Sequence, residues 1–240
     1  MKNPDWTRDE LILALNLYFE LQPREITAMN SKIIEMSKIL NSLPIHDNTL
    51  NESFRNPNGV NMKLNNFKRF DKEYFGIGLK RGAKLDEMIW NEFVENRQRL
   101  GEIANAIKSI SKNTELVSKI SSIPSDEGFD ESRVALEGKI IYKLHKLRER
   151  DRKIIAEKKK SVLKINNKLS CEVCNLNFEE KYGEIGKGFI ECHHKVPLSS
   201  LKVETKITVK DLALVCSNCH RMLHRDIKNI SVEKLKELIK

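Results

Sequence analysis

The chain predicts an α+β protein, with a mainly helical N-terminal domain joined by a long basic helix to a small, metal-stabilised C-terminal domain. Three observations predict this. Apolar residues recur at helical spacing from Leu11 to Ile110. A lysine- and arginine-rich stretch with its own apolar stripe follows. Five cysteines and four histidines then fall within the 54 residues from Cys171 to His224, chemistry that no ordinary hydrophobic core needs at that spacing.

Composition narrows the class. The chain has 240 residues, 40% hydrophobic and 32% charged, enough for one large domain or two small ones. No apolar run reaches the length of a membrane span and no signal-peptide core opens the chain, so a cytoplasmic protein with no membrane partner is expected. In a reducing compartment the cysteines are metal ligands or buried thiols rather than disulfides. Lys and Arg number 43 against 34 Asp and Glu, a formal charge of +9. That balance favours a polyanion such as nucleic acid; a merely solvated basic surface is the other reading.

The elements follow in order. Thr7 and Glu10 make a capping box ahead of Leu11, Ile12, Leu15, Tyr18 and Phe19, and Pro23 breaks that helix. A second helix carries Ile33, Ile34, Met36, Ile39 and Leu40 and stops before Pro44. A third starts with Asn56 as N-cap and Pro57 at the first helical position. It buries Val60, Leu64 and Phe67 and turns Asn61, Lys63, Asn65 and Lys68 outward. Three short helices with a polar, basic third one suit a helix-turn-helix, whose last helix enters the major groove. There asparagines would read adenine edges, and Lys63 and Lys68 would contact phosphate or guanine. The runs Asp5-Trp-Thr-Arg-Asp-Glu10 and Phe54-Arg55-Asn56 resemble the start and third helix of Myb-like domains. A helical packing domain with a polar surface is the alternative.

Residues 71–82, with Gly76, Gly78 and Gly82, read as a loop, and helices resume through Ile89, Trp90 and Phe93 and through Ile103, Ile107 and Ile110. Ser121 to Gly128 has linker composition. A helix is expected from about Ser132 to Lys160, with Leu136, Ile140, Leu144 and Leu147 as its stripe. Its other faces carry Lys143, Lys146, Arg148, Arg150, Arg152, Lys153 and Lys158 to Lys160. Arg148 and Arg152 are candidate DNA-backbone contacts; a solvated connector is the alternative. The domains are then 1–122 for DNA recognition, 123–168 for linker and basic helix, and 169–240 for the metal-rich module.

In that module, Cys171-x-x-Cys174 and Cys216-x-x-Cys219 are two knuckles of the kind that hold tetrahedral zinc, and four thiolates close the coordination sphere. The 41 residues between the pairs must loop out and return. A redox dithiol is the competing reading, but one pair would suffice for it. The histidines need another role. His193 and His194 are adjacent, so on a strand they point to opposite faces. His220 and His224 are four apart and share one face of a helix. They can grip one ion together with one adjacent histidine, leaving the other as a general base suited to neutral pH. Glu191 could support a metal-bound histidine or simply lie exposed, and Cys192 reads as a small buried thiol.

Cys171-Glu-Val-Cys174, the run from Tyr182 through Glu191-Cys-His-His-Lys-Val-Pro-Leu-Ser199, and Asp211 to Arg225 resemble an HNH endonuclease with the ββα-metal fold, of the McrA-like restriction type. The resemblance implies that His193, His220 and His224 hold a catalytic divalent ion (Mg, Mn, Co, Ni or Zn) and that His194 is the general base. Asp211 matches a position usually held by asparagine, nine residues before His220. There it would accept a hydrogen bond from the His194 imidazole, and a carboxylate would raise that base's pKa. Arg221 and Arg225 become candidate phosphate clamps. The implied function is metal-dependent hydrolysis of double-stranded DNA in a restriction role, directed at methylated or hydroxymethylated DNA, with a homodimer or two binding events for a double-strand break. The rival is a zinc-dependent DNA-binding protein that does not cleave. A nuclease of the same fold directed at RNA is a third reading.

Overall fold

The computed structural model describes residues 3–46, 52–76, 82–123, 138–149, 151–195, 207–225 and 230–239. It divides into two compact units, Met1–Lys143 and Leu144–Lys240. The division falls within the basic helix Lys139–Glu149, and residues 124–128 of the expected linker lie outside the described residues.

The first unit is built from α1 (Arg8–Glu20), α2 (Ser31–Ser42), α3 (Pro57–Phe67), α4 (Lys84–Phe93), α5 (Arg97–Lys112) and α6 (Thr114–Ser121). The capping box forms as expected: the Glu10 amide donates to Thr7 Oγ1, and the Thr7 amide donates to the Glu10 carboxylate at 2.7 Å. α2, α3, α4 and α5 all pack on α1. A helix enclosed on every side must be apolar around its circumference, and Leu11, Ile12, Leu13, Ala14 and Leu15 are all fully buried. Asn56 caps α3 by accepting from Gly59 N, with Pro57 next. Val60, Leu64, Phe67, Ile89, Phe93, Ile103, Ile107 and Ile110 complete the core. Trp90 joins them at the centre of an aromatic group with Tyr18, Phe19, Phe67 and Phe70.

Charged groups inside this unit are engaged. The Glu10 carboxylate accepts from Arg55 Nε at 2.7 Å, Arg55 Nη2 at 3.0 Å and His46 Nε2 at 3.3 Å. Arg55 also donates to the Pro4 and Asp5 carbonyls and lies 4.4 Å over the Trp6 ring. This web holds Arg55 at φ +42°, a left-handed backbone conformation that a side chain raises in energy. Burial alone would raise the Glu10 carboxyl, but the His46 and Arg55 hydrogen bonds and the Arg55 charge outweigh it and bring it down to about 2. The adjacent Asp9 is wholly buried, and burial pushes it up to about 6 even though it accepts from the Lys139 and Ile140 amides. Asp9 thereby caps α7 (Lys139–Glu149). A Cβ on Gly138 would collide with that carboxylate, which explains a glycine there at φ +96°.

Two expectations change. Lys63, expected to face outward, is 8% exposed and its ammonium lies 2.9 and 3.0 Å from the Asp86 carboxylate oxygens. It ties α3 to α4. The periodicity of α3 shows one apolar stripe but not that α4 packs beside it. The single helix from Ser132 to Lys160 is instead two, α7 and α8 (Arg152–Asn166). Asp151 interrupts them in an extended conformation, its carboxylate accepting from Lys153 N as the N-cap of α8. A side chain able to cap competes with helix continuation. Residues 132–137 lie outside the described residues.

In the second unit, α8 lays Ile155 and Val162 against the core formed by Val173, Cys192, Leu214, Leu223 and Val232. The basic segment is therefore partly a wall of the C-terminal module. α9 (Phe178–Tyr182) precedes β1 (Glu191–His194). β1 pairs antiparallel with β2 (Leu212–Val215), setting Glu191 opposite Val215, His193 opposite Ala213 and His194 opposite Leu212. α10 (Ser217–Arg225) follows β2 directly, and α11 (Val232–Leu238) packs on α10.

Candidate functional site

The first knuckle is a tight turn in which the Cys171 amide donates to Leu176 O and the Asn175 amide donates back to Cys171 O. Asn175 sits at φ +60°, which asparagine tolerates better than most residues. The second knuckle is the join between β2 and α10. In each knuckle the backbone N–H of the second cysteine donates to the Sγ of the first at 3.5 Å. The four Sγ atoms of Cys171, Cys174, Cys216 and Cys219 all lie within 4.8 Å of one another, and Cys174 and Cys216 approach to 3.7 Å. Tetrahedral zinc with bonds of about 2.3 Å requires sulfur–sulfur edges of about 3.8 Å, so the cluster fits that ion. Four thiols this close also need a cation: burial first, then neighbouring Cys216 and Cys171, push the Cys219 thiol far up, and a bound dication reverses that cost.

Sequence reading missed what joins the knuckle to the sheet. The Glu172 amide donates to Leu214 O at 2.7 Å and its carboxylate accepts from Leu214 N at 2.8 Å. The same carboxylate meets Lys158 of α8 at 3.3 Å and Lys195 at 3.9 Å. No sequence signal marks a glutamate inside a C-x-x-C turn for this task.

The second cluster is separate. β1 directs His193 toward α10, where His220 and His224 lie one turn apart. One ligand nitrogen from each falls within 4.8 Å of the others. His220 and His224 meet at 2.9 Å between their Nε2 atoms. Glu191 binds His220 Nδ1 at 2.6 Å. That contact makes Nδ1 the donor and presents the Nε2 lone pair to the cluster, the arrangement by which a carboxylate orients a metal-binding imidazole. The supported histidine is thus His220, across the sheet–helix boundary, rather than His193 on the same strand. His193 and His224 are buried and His220 is partly exposed, so the cluster opens on one side.

His194 is buried and, by strand alternation, turned to the opposite face from His193. Asp211 ends a 3-10 turn, Val209–Asp211, just before β2, and its carbonyl accepts from Lys195 N at 2.9 Å. This places it beside His194. The expected hydrogen bond to the imidazole is not the one formed: Asp211 Oδ2 accepts from Thr208 N at 2.8 Å and Thr208 Oγ1 at 2.7 Å. Those bonds, followed by the charges of His194 and Lys195, hold its carboxyl below the usual range. The Thr208-x-x-Asp211 spacing was a legible capping-box signal for this turn. Residues 196–206, including Val196 and Pro197 of the sequence motif, lie outside the described residues.

The remaining DNA-contact candidates are scattered. Arg221 and Arg225 are exposed on α10, beside the histidine cluster, and Arg152 is exposed at the start of α8. The Arg148 side chain lies outside the described residues. Lys68 is half-buried at the end of α3, 5.0 Å over the Tyr74 ring. Cys192 is the buried thiol expected, raised to about 11 by burial.

Residues 171–226 match the HNH endonuclease family. The match spans both knuckles, both strands and α10, so the zinc-fitting cysteines and the histidine cluster belong to one HNH domain. HNH domains are generally nucleases that bind nucleic acid and use divalent metals. Comparison with the curated proteins and with the solved structures found no match.

Proposed function

We propose that this chain is a metal-dependent endonuclease that hydrolyses DNA phosphodiester bonds. The observation supporting it most is the division of labour at β1: His193 joins His220 and His224 in one cluster while His194, the next residue, turns away from it beside Asp211. A divalent ion held by the three imidazoles would supply Lewis-acid stabilisation of charge on the phosphate and the leaving 3′ oxygen. His194 takes the proton from the attacking water. Asp211, kept ionised by Thr208, favours the imidazolium so formed. Glu191 fixes the His220 ring, and Arg221 and Arg225 bind flanking phosphates. Cys171, Cys174, Cys216 and Cys219 would hold a zinc that keeps knuckles, strands and α10 in register.

In this reading the first unit selects DNA and the protein serves restriction in the cytoplasm. The resemblance of its motif to McrA-like enzymes points this reading to methylated or hydroxymethylated DNA as the target. Reading a flipped base needs an open aromatic pocket, and Trp90, 5% exposed and packed among other rings, does not line one. A homodimer would supply the two centres a double-strand break needs.

The test is cleavage of unmodified, methylated and hydroxymethylated plasmid DNA with added Mg, Mn, Co, Ni or Zn, comparing wild type with His194→Ala. Loss of cutting with DNA binding and about one cysteine-bound zinc retained is expected. Unchanged cutting removes His194 as the base. A wild type that binds every DNA and cuts none with any ion leaves a non-cleaving zinc-dependent DNA-binding protein instead.

A further inference from the structure

The first unit's aromatic group has an outer edge that its core packing does not explain. Phe19 lies in the last turn of α1 and Phe70 follows α3; both are only half-buried, and both pack on Trp90, with ring centroids 5.4 and 6.0 Å away. A cation covers each outer ring. The Arg97 guanidinium, at the first position of α5, lies 4.3 Å from the Phe19 centroid, and the Arg69 guanidinium lies 4.8 Å from that of Phe70. Lys68 adds a third cation over Tyr74. Two cations from two separate segments thus border one aromatic group, and Lys68 is the chain neighbour of one of them.

The acids nearby do not neutralise them. Asp71 accepts from Tyr18 Oη at 2.7 Å through one oxygen and from Glu73 N at 2.9 Å through the other. Glu20 is shared between Lys32 at 3.8 Å and Lys108 at 3.7 Å. Among the described residues Arg69, Arg97 and Lys68 form no ion pair, although Glu73 and Glu95 stand in the same segments. A guanidinium stacked on a ring spends its flat face on the ring. Its N–H fork stays at the edge, in fixed orientation, and that fork matches the oxygens of a phosphodiester.

We infer that this edge is a second DNA-contact surface, with Arg69 and Arg97 as phosphate ligands and Lys68 beside them. It rests on the proposed DNA reading and names the partner's contact on the first unit, where Lys63 is engaged with Asp86. The occupant is duplex DNA. The phosphate backbone complements the charge, and the aromatic group beneath gives the arginines a rigid floor.

Full-length protein is titrated into a labelled duplex by fluorescence anisotropy without added divalent ion, over about 50 to 200 mM salt. Each phosphate contact contributes about −0.9 to the slope of log affinity against log salt. Arg69→Gln with Arg97→Gln should flatten the slope by about 2, and the more exposed Arg97→Gln alone by about 1. Arg69→Lys with Arg97→Lys should restore most of the slope, because charge rather than packing sets it. An unchanged slope in the glutamine variants, or a flattened slope that lysine does not restore, overturns the inference. So does an unlabelled RNA duplex that displaces the DNA at lower concentration than unlabelled DNA does. A wild type that cuts plasmid but shows unchanged slopes in the variants defeats this surface and leaves the nuclease reading standing. Flattened slopes with no cutting by wild type do the reverse.

Discussion

Glu10→Gln removes the negative charge and one of the two acceptor oxygens at the centre of the first unit's buried polar web, and leaves Arg55, 3% exposed, without its carboxylate. The Glu10 carboxyl is held at about 2 against an ordinary 4.5. At about 1.4 kcal/mol per pKa unit this contributes about 3 kcal/mol to folding at pH 7. Breaking a buried pair from one side costs about 3–5 kcal/mol, so the two routes agree. A depressed folded-state pKa gives stability that is complete above the unfolded value and lost as pH falls toward the folded one. The effect of the substitution should therefore shrink from about 3 kcal/mol at pH 7 to about 1 at pH 3. Urea unfolding followed by tryptophan fluorescence is the assay. The chain has two tryptophans, Trp6 and Trp90, both in the first unit, so the signal reports that unit alone. A loss below about 1 kcal/mol at pH 7, or a loss equal at both pH values, refutes the reasoning.

Asp9 should act with the opposite sign. Its carboxyl is raised to about 6, so the folded state keeps the proton longer and stability should rise as pH falls from about 6 toward 3.8. Asp9→Asn should erase that rise in the same fluorescence assay. In the second unit, Glu191→Gln weakens the hold on His220 and should lower affinity for the catalytic ion about 10- to 100-fold. Calorimetric titration with Mn or Co checks this, and unchanged affinity would show the contact to be incidental. Cys216→Ser, or strong chelation, should unfold the second unit by removing the ion its knuckles share. Proteolysis would then cleave beyond Leu144 while tryptophan fluorescence stays native. Joint loss of both units would contradict separate stability.

Local chemistry was legible in the sequence wherever one segment decides its own state. The Thr7–Glu10 box, Asn56-Pro57, and the apolar stripes of α2 to α5 each report backbone needs satisfied within a few residues. The two C-x-x-C pairs and the 193/194 and 220/224 histidines were legible for the same reason: strand alternation and helical spacing set which side chains share a face before any packing is known. Asp151 was the missed local signal, a cap residue hidden inside a continuous apolar and basic pattern.

Tertiary structure decided whatever depends on a neighbour distant in the chain. Lys63 read as an outward cation because its own helix cannot show Asp86 arriving from α4. Asp9 became the cap of a helix 130 residues later. Glu191 found His220 because antiparallel pairing with β2 brings α10 beneath β1. The sequence by itself determined the candidate metal-ligating residue types and their spacing, because coordination demands particular atoms at particular intervals. Only the packed fold determined which carboxylates support them and which cations remain available to a phosphate, because desolvation and charge pairing depend on what else arrives at the same place.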